Sequence, residues 1–397
     1  MAFADLSRVI AVALLIGAGI SNAGRGQQNS AQNEFSAVLG NLGDNQSPGA
    51  SLIVRQSGQT LFERGYGLRD LRTRTSIDSH TNFRLASCTK QFTAMAIMLL
   101  VHDGKLRYDE PLTQIFPEFP DYGKSITIRN LLNHTSGLPD YESLMEAASG
   151  DHPRWSADRQ ISDAEVLTLL ETQQRGKFVS GTQWSYSNSG YVLLGLIVSK
   201  VSGKPFQEFL HDRIFAPLGM KHTLVYLKGK NQILDRAYGY TRNGNQFIET
   251  DQSATSATLG DGGIYSNLED LSKWDDALWH HTLLSADEAK VAVAPVKLLD
   301  GSLPTWTGDP DDTNPQAGKP ISYGFGWFVD DYEGHHRMWH YGETTGFKTA
   351  IERFTDDGLT IIILCNRSDL DPGSLALKLA SVALQSRNSR VHAAFPN

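Results

Sequence analysis

Cysteine is nearly absent from this sequence: the 397-residue chain contains two, Cys88 and Cys365. A chain of this length buries enough apolar surface to fold without covalent cross-links. We therefore expect two free, buried thiols rather than a disulfide framework. Runs of lysine or arginine are also lacking, and the net charge of −8 is acidic. Such a surface cannot follow a phosphate backbone, so we expect no nucleic-acid partner.

Several widespread catalytic signatures are missing as well. The chain has no G-x-S-x-G elbow, no H-E-x-x-H zinc helix, no C-x-x-C pair and no G-x-G-x-x-G phosphate loop. The histidine pairs at 280–281 and 335–336 lack acidic or cysteine partners at ligand spacing. We expect neither a metal ion nor a cofactor, and a substrate that is a small molecule or a peptide.

Long hydrophobic runs are missing beyond the N-terminus. The 12 apolar residues 9–20 follow Arg8 and precede small residues, a pattern typical of a secretory signal peptide. Spanning a bilayer takes about 20 such residues. We predict that residues 1–23 are a signal peptide, cleaved near Ala23, and that the protein is exported to the periplasm or secreted, without a membrane span after cleavage. The alternative is an uncleaved leader that anchors the chain; Asp5 weakens the basic n-region.

Strand patterns at both ends of the chain enclose a mostly helical middle. The segment GASLIVRQSGQTLFERGYGLRD predicts a hairpin around the turn 56–59. Three more strand candidates, YGFGWFVDD, GFKTAIERFT and LTIIILCN, precede a final helix, GSLALKLASVALQS. We predict one α/β (α+β) domain over residues 35–385, monomeric by default. Its sheet comes from about 35–100 and 255–385, and its helical part covers about 101–254.

Ser87 and Lys90 form the single S-x-x-K in the chain, directly before an apolar helical run. Residues three apart share one helix face, so the Lys90 amine reaches the Ser87 hydroxyl. Desolvation and the positive end of the helix dipole both lower the pKa of such a lysine, and a neutral amine can take the serine proton. The alternative is that Ser87 only caps the helix while Lys90 extends into solvent.

Two further motifs carry polar groups suited to the same chemistry. Tyr186 and Asn188 form the single Y-x-N, again before an apolar helix; a tyrosine hydroxyl shuttles a proton and an asparagine amide holds a carbonyl. The plain alternative is a loop tyrosine with an N-capping asparagine. His340 and Gly342 lie in WHYGETTGF, at the start of a predicted strand. There the histidine offers a titratable positive group and the glycine allows close backbone approach.

These three motifs, in this order, resemble those of the serine penicillin-recognising hydrolases. That superfamily comprises class C β-lactamases, D-alanyl-D-alanine carboxypeptidases and family VIII esterases. Further segments are similar to it: LLNHTSGLPDY (131–141), YSNSGYVLLGLIVSKVSGKPFQEFLHDRIFAPLGMKHT (186–223), GDGGIYSNLEDLSKW (260–274) and YGFGW (323–327). The resemblance implies an antiparallel sheet flanked by helices, with the active site in a cleft beside the helical region.

The resemblance also implies site roles. Ser87 attacks a carbonyl and becomes acylated, Lys90 and Tyr186 share the proton, and water releases the acid. The substrate-binding residues are Asn188, His340 and Gly342. An oxyanion hole is formed by the backbone N–H groups of Ser87 and Glu343. Within the NHTSGL segment, His134 and Ser136 are expected to order a loop beneath the cleft.

The sequence departs from the superfamily pattern at Tyr341, where many relatives carry a threonine that helps to bind a substrate carboxylate. Glu343 replaces a small residue and, unless its side chain points outward from the strand, brings a negative charge close to the site that receives an anion in the lactamases. We therefore expect an exported serine hydrolase that cleaves an ester or a D-amino-acid peptide rather than an efficient β-lactamase. The alternative is a sensor or binding protein that keeps the fold without turnover.

Overall fold

The computed structural model describes residues 32–40, 42, 46–305 and 320–394, with side chains to residue 385. The predicted signal peptide at 1–23 lies outside these residues. Within the described ranges, no helix is long and apolar enough to cross a membrane.

The described elements are rich in strands toward both ends and mostly helical between, with three short strands at 224–225, 240–243 and 246–249 inside the part predicted to be helical. In chain order the strands are β1 (Ala50–Gln56), β2 (Gln59–Tyr66), β3 (Leu68–Asp70), β4 (Thr75–Ser76), β5 (Phe83–Arg84), β6 (Leu224–Val225), β7 (Tyr240–Asn243), β8 (Gln246–Glu249), β9 (Ile264–Ser266), β10 (Phe328–Tyr332), β11 (His335–Thr344), β12 (Phe347–Phe354) and β13 (Leu359–Cys365). The helices are α1 (32–39), α2 (Lys90–His102), α3 (Leu112–Ile115), α4 (Ile128–Leu132), α5 (Tyr141–Ser149), α6 (Asp163–Glu171), α7 (Asn188–Ser202), α8 (Phe206–Leu210), α9 (Leu268–Trp279), α10 (Ala286–Val293) and α11 (Pro372–Ala394).

A six-stranded antiparallel sheet, ordered β10-β11-β12-β13-β1-β2, forms the centre of the fold. The predicted hairpin is confirmed: β1 and β2 flank a two-residue turn in which Ser57 and Gly58 both have positive φ, as this kind of hairpin turn requires. Because β1 pairs with β13, from Ala50 opposite Cys365 to Gln56 opposite Leu359, the two ends of the chain build one sheet.

Both faces of this sheet are buried. Along β13, Ile361 and Ile363 enter one apolar core, which also holds α1 and α11, while Ile362 and Leu364 enter the other, which holds α2, α7 and α9. Burial on both faces explains why LTIIILC is a continuous apolar run instead of an alternating one. The fold is the mixed helix and sheet architecture that the sequence predicts.

The helical region shows the expected end signals, and β11 shows the main local difference. Ser162 and Glu165 form the predicted capping box of α6, and α7 ends at Gly203 in a left-handed conformation. The strand carrying His340 is longer than predicted: β11 begins at His335, so His340 lies in its interior rather than at its start. Cys88 and Cys365 are free and buried, as expected.

Candidate active site

Ser87 lies on a tight turn that leads into α2. Residues Ala86–Thr89 form a single 3₁₀ turn in which Ala86, Cys88 and Thr89 are buried, whereas Ser87 is partly exposed. Ala86 has φ of +48°, in the left-handed region that a residue with a Cβ seldom adopts. Such strain persists where the surrounding structure imposes it, and functional sites are typical places for it. The turn presents the Ser87 hydroxyl and hides its neighbours.

Lys90 is completely buried and directed at Ser87. Its Nζ lies 3.0 Å from Ser87 Oγ, 2.8 Å from Asn188 Oδ1 and 3.1 Å from the carbonyl oxygen of Asp261. Burial lowers its pKa to about 8, against an opposing effect of the nearby Asp261 carboxylate. No side-chain cap is found at the start of this turn or of α2. The alternative reading, a capping serine beside a solvent lysine, does not describe this site.

Tyr186 and Asn188 reach the same point from the start of α7. Ser187, not Asn188, caps this helix, since its Oγ accepts a hydrogen bond from Gly190 N at 3.1 Å. The Asn188 side chain is thereby free to accept from Lys90. Lys90 Nζ also lies 4.9 Å from the centre of the Tyr186 ring. Desolvation raises the pKa of Tyr186 well above its usual value, while its hydrogen bond to Ser87 acts in the opposite direction. The phenol is therefore protonated at neutral pH.

Gly342 brings β11 against the Ser87 turn. A Cβ at this position would lie 2.2 Å from the carbonyl oxygen of Leu85 and 3.2 Å from Ser87 N. Only glycine permits this approach, as the sequence predicts. The contact carries the backbone of the next residue, Glu343, to the neighbourhood of the nucleophile. The pairing of the Ser87 and Glu343 N–H groups as an oxyanion hole stays a prediction.

His340 differs from the expectation of a positive group. It is 1% exposed, and burial lowers its pKa to about 3. Its Nδ1 donates to the carbonyl oxygen of Tyr341 at 2.7 Å, which leaves Nε2 to accept from the hydroxyl of Tyr323 at 3.1 Å. The imidazole is neutral at physiological pH, and the prediction of a cation at this position is wrong because the sequence does not reveal the burial that removes the proton.

The Tyr341 and Glu343 side chains point to the other face of the sheet. Tyr341 donates from its hydroxyl to Glu352 Oε1 at 2.5 Å and packs against the start of α11 at Gly373. Glu343 is on the same side of the strand by alternation. Its side chain is 70% exposed and pairs with Lys348 at 3.3 Å. The expectation that Glu343 brings its charge to the site is therefore not met.

Two groups at the site are not predicted by the sequence. The carbonyl of Asp261 receives a hydrogen bond from Lys90, and the hydroxyl of Tyr323 orients His340. His134, which is expected to order a loop beneath the cleft, accepts hydrogen bonds from the backbone around Tyr186. Their segments, GDGGIYSN, YGFGW and NHTSGL, were visible as family-like stretches. The sequence held no signal for the individual contacts, because each joins residues far apart in the chain.

A buried lysine between a serine hydroxyl and an asparagine amide, on an antiparallel sheet flanked by helices, defines a serine hydrolase site of the β-lactamase and penicillin-binding-protein type. The profile of the family described as Beta-lactamase matches residues 33–384. The chain belongs to this family.

Among curated proteins, the chain is similar to penicillin-binding protein 4* of Bacillus subtilis, with 30% identity over 83% of this chain and 70% of that protein. Among solved structures, it is similar to the D-amino acid amidase of Ochrobactrum anthropi, at 27% identity and a TM-score of 0.72 over 91% of this chain and 99% of that one. The octameric penicillin-binding protein homologue of Pyrococcus abyssi shares the fold, with 23% identity and a TM-score of 0.70 over 91% and 77% of the two chains.

Proposed function

We propose that this protein hydrolyses an amide or ester of a D-amino acid through an acyl-enzyme on Ser87. The observation that carries this proposal is the buried Lys90 amine, 3.0 Å from Ser87 Oγ and with a pKa of about 8. A lysine held this way exists partly as the free amine near neutral pH and acts as a base toward the hydroxyl. A protein that binds its ligand without acylation has no use for this amine as a base, whereas a sensor that is acylated without turnover has, so product release separates the hydrolase from the sensor.

The proton path follows from the partners of Lys90. The neutral amine takes the proton of Ser87 Oγ as the Oγ–carbonyl carbon bond forms. Tyr186, which is neutral, donates its proton to the leaving nitrogen or oxygen and recovers one from the Lys90 ammonium. Asn188 holds Lys90 and the substrate flank. A water molecule then attacks the acyl carbon and gives a proton to Lys90; the bond to Ser87 Oγ breaks, Oγ takes the proton from Lys90, and the acid is released.

The tetrahedral oxyanion accepts hydrogen bonds from the backbone N–H groups of Ser87 and Glu343. The close contact at Gly342 supports this assignment, because it brings β11 beside the nucleophile's own N–H. Each such donor typically lowers the barrier by about 3 to 4 kcal/mol.

We infer that the preferred substrates are amides and esters that carry no free carboxylate next to the scissile bond. His340 is neutral and Tyr341 directs its hydroxyl toward Glu352, so neither offers a cation or a hydroxyl to a carboxylate. This disfavours β-lactams and peptides that end in free D-alanine. The similarity to a D-amino acid amidase at 27% identity supports amides and esters of D-amino acids.

The test compares the purified enzyme and Ser87→Ala on four acyl donors. They are D-phenylalanine amide, its L-enantiomer, a p-nitrophenyl alkyl ester and a chromogenic cephalosporin. We expect turnover of the D-amide and the ester, slow or absent hydrolysis of the cephalosporin, and loss of all turnover in Ser87→Ala. Intact-protein mass spectrometry supplies the second readout. A stable adduct on Ser87 without product release would support the non-hydrolytic sensor instead, and activity equal in Ser87→Ala would refute the nucleophile.

We also propose that the protein is exported, because its first 23 residues have the pattern of a cleaved leader. A monomer is the default expectation for the mature chain. The mass of the protein recovered from a native secreting host tests this. A mature N-terminus near residue 24 supports cleavage, whereas the full-length mass in the membrane fraction supports an anchor. Light scattering of the mature chain measures its oligomeric state.

A further inference from the structure

The side chain of Asp261 is buried beside the proposed base and has few hydrogen bonds. The residue is 6% exposed. Its Oδ2 accepts from the hydroxyl of Tyr141 at 3.3 Å, and its Oδ1 has no hydrogen-bond partner in the described part of the chain. The backbone carbonyl oxygen of the same residue accepts from Lys90 Nζ at 3.1 Å. Burying a carboxylate costs free energy unless hydrogen bonds or a cation compensate it, so this group requires a nearby positive charge.

The backbone on both sides of Asp261 is fixed. The carbonyl oxygen of Gly260 accepts from Thr93 Oγ1 at 2.6 Å, and the carbonyl oxygen of Gly262 accepts from Arg84 Nε at 3.2 Å. Both donor side chains are buried. Thr93 belongs to α2, the helix that begins with the proposed base. The helix that carries the amine therefore also holds the loop that carries the carboxylate, and the two groups keep a constant separation.

The Asp261 carboxylate and the Lys90 amine are close together and away from water. Covalent geometry keeps the carboxylate oxygens within roughly 6 Å of the carbonyl oxygen of the same residue, and hence within about 9 Å of Nζ. Lys90 has no exposed surface. Charges in such an environment interact more strongly than in bulk water, and salt screens them little. Desolvation lowers the pKa of Lys90, and the Asp261 carboxylate is the main group that opposes this effect.

Other titratable groups surround this pair. Glu142, on α5, acts on the pKa of Lys90 in the same direction as Asp261 but more weakly. On α6, desolvation raises the pKa of Asp163 to about 8, and the Asp261 charge adds to this effect. For the remaining groups, burial shifts the pKa so that the neutral form dominates at pH 7; they are Cys88, His134, Tyr141, Tyr186, Tyr191 and His340. Asp261 is thus the principal negative charge that acts on the amine.

We propose that Asp261 is a positioning residue for acyl transfer, whose carboxylate is the counter-ion of the ammonium formed when Lys90 takes the Ser87 proton. This inference rests on the proposed function, in which Lys90 is the base. During acylation the proton moves from Ser87 Oγ to Lys90 Nζ while Oγ bonds to the acyl carbon. Asn188 Oδ1 and the Asp261 carbonyl oxygen accept from the ammonium, and the Asp261 carboxylate balances its charge.

The titration of Lys90 itself tests this role without any need for turnover. The protein is labelled with carbon-13 at the lysine Cε, and the NMR signal that Lys90→Arg removes is followed against pH. Asp261→Asn removes the charge and keeps a side-chain oxygen for Tyr141. We expect the midpoint of Lys90 to fall by roughly one pH unit in this variant and by less in Glu142→Gln. Glu146→Gln, at an exposed position of α5, is the matched control and should leave the midpoint unchanged.

Rate profiles on a donor that the wild type hydrolyses give the second readout. With the lower midpoint, the ratio of kcat/KM at pH 9 to that at pH 6 should fall roughly tenfold in Asp261→Asn. A purely structural role would lower the rate by the same factor at every pH. Asp261→Ser serves as a second neutral variant, and melting temperatures confirm that each variant folds.

The outcomes separate this inference from the proposed function. Full activity in Ser87→Ala, or a flat wild-type profile, refutes the proposed chemistry. A wild-type midpoint for Lys90 near pH 8 that is unchanged in the folded neutral variants of Asp261 overturns the counter-ion role alone.

Discussion

His134 holds the chain on both sides of Tyr186. Its carbonyl oxygen accepts from Ser185 N at 3.0 Å, and its Nδ1 accepts from Ser187 N at 3.1 Å. The ring itself packs on Tyr186 with centres 4.4 Å apart. His134 is fully buried, and burial lowers its pKa well below the usual value, so Nδ1 remains an acceptor. The backbone of His134 is in the left-handed conformation, with φ of +62°. His134 is therefore a positioning residue for the proposed proton donor.

His134→Asn should preserve this arrangement and His134→Gln should not. The asparagine Oδ1 occupies the place of Nδ1, and asparagine tolerates left-handed backbone better than most residues. Glutamine places its amide one bond farther out. We expect the glutamine variant to lose roughly 10- to 100-fold in kcat with little change in KM, and the asparagine variant to lose clearly less. Steady-state kinetics on the D-amide measures this, and equal losses in the two variants would argue for a purely steric role.

The activity should rise with pH as Lys90 loses its proton. Burial lowers the Lys90 pKa to about 8, and the neutral amine is the base, so kcat/KM should increase about tenfold per pH unit from 6 toward 8 and then level off. Lys90→Arg keeps a cation at every pH and should abolish both activity and this rise. Rate profiles between pH 5.5 and 9.5 provide the measurement. A flat profile in the wild type would contradict the assignment of the base.

Gly342→Ala should inactivate the enzyme, while Gly262→Ala should be tolerated. An alanine Cβ at 342 would collide with the Leu85 carbonyl at 2.2 Å and push β11 away from Ser87. At 262, the closest atoms are those of Ala86 at 3.8 Å, an ordinary contact. We expect a loss of about 100-fold or more in kcat for the first variant, consistent with a displaced oxyanion donor. Normal kinetics in Gly342→Ala would show that catalysis does not require the close approach of β11 to the Ser87 turn.

Tyr341→Phe should affect stability more than catalysis. The hydroxyl of Tyr341 donates a hydrogen bond to the buried Glu352. Burial raises the pKa of Glu352 to about 7, and the hydrogen bond from Tyr341 acts in the opposite direction. Since the folded-state pKa lies above the unfolded one, the free energy of unfolding falls as pH rises from about 4.5 through 7. Without the hydroxyl, the Glu352 pKa rises further and this fall should continue to higher pH, with about 1 kcal/mol of extra loss at pH 8 and little at pH 5.

Urea unfolding at the two pH values, with kinetics on a neutral ester as the control, tests the Tyr341→Phe prediction. An equal loss of stability at pH 5 and pH 8 would show that the hydroxyl does not serve the charged Glu352. A large fall in kcat on the ester would show that Tyr341 takes part in the site after all.

The sequence predicts local relationships at this site and misses tertiary ones. Three-residue spacing before an apolar helix is enough to place Lys90 beside Ser87. Alternation along a strand predicts that His340 and Tyr341 lie on opposite faces, but which of them faces the Ser87 turn depends on how β11 pairs and packs in the sheet. The neutral state of His340 and the contacts of His134 arise only when distant segments of the chain enclose these two side chains. No short sequence pattern therefore predicts either feature.

The pairing of β1 with β13 also has a consequence for biosynthesis. The hairpin that opens the domain is translated about 300 residues before its partner strand. Until then one edge of β1 carries unpaired backbone groups, and β11 is not available to support the Ser87 turn. A nascent chain is thus unable to acylate itself, and the slow closure of a long-range sheet becomes the step at which catalytic competence first appears.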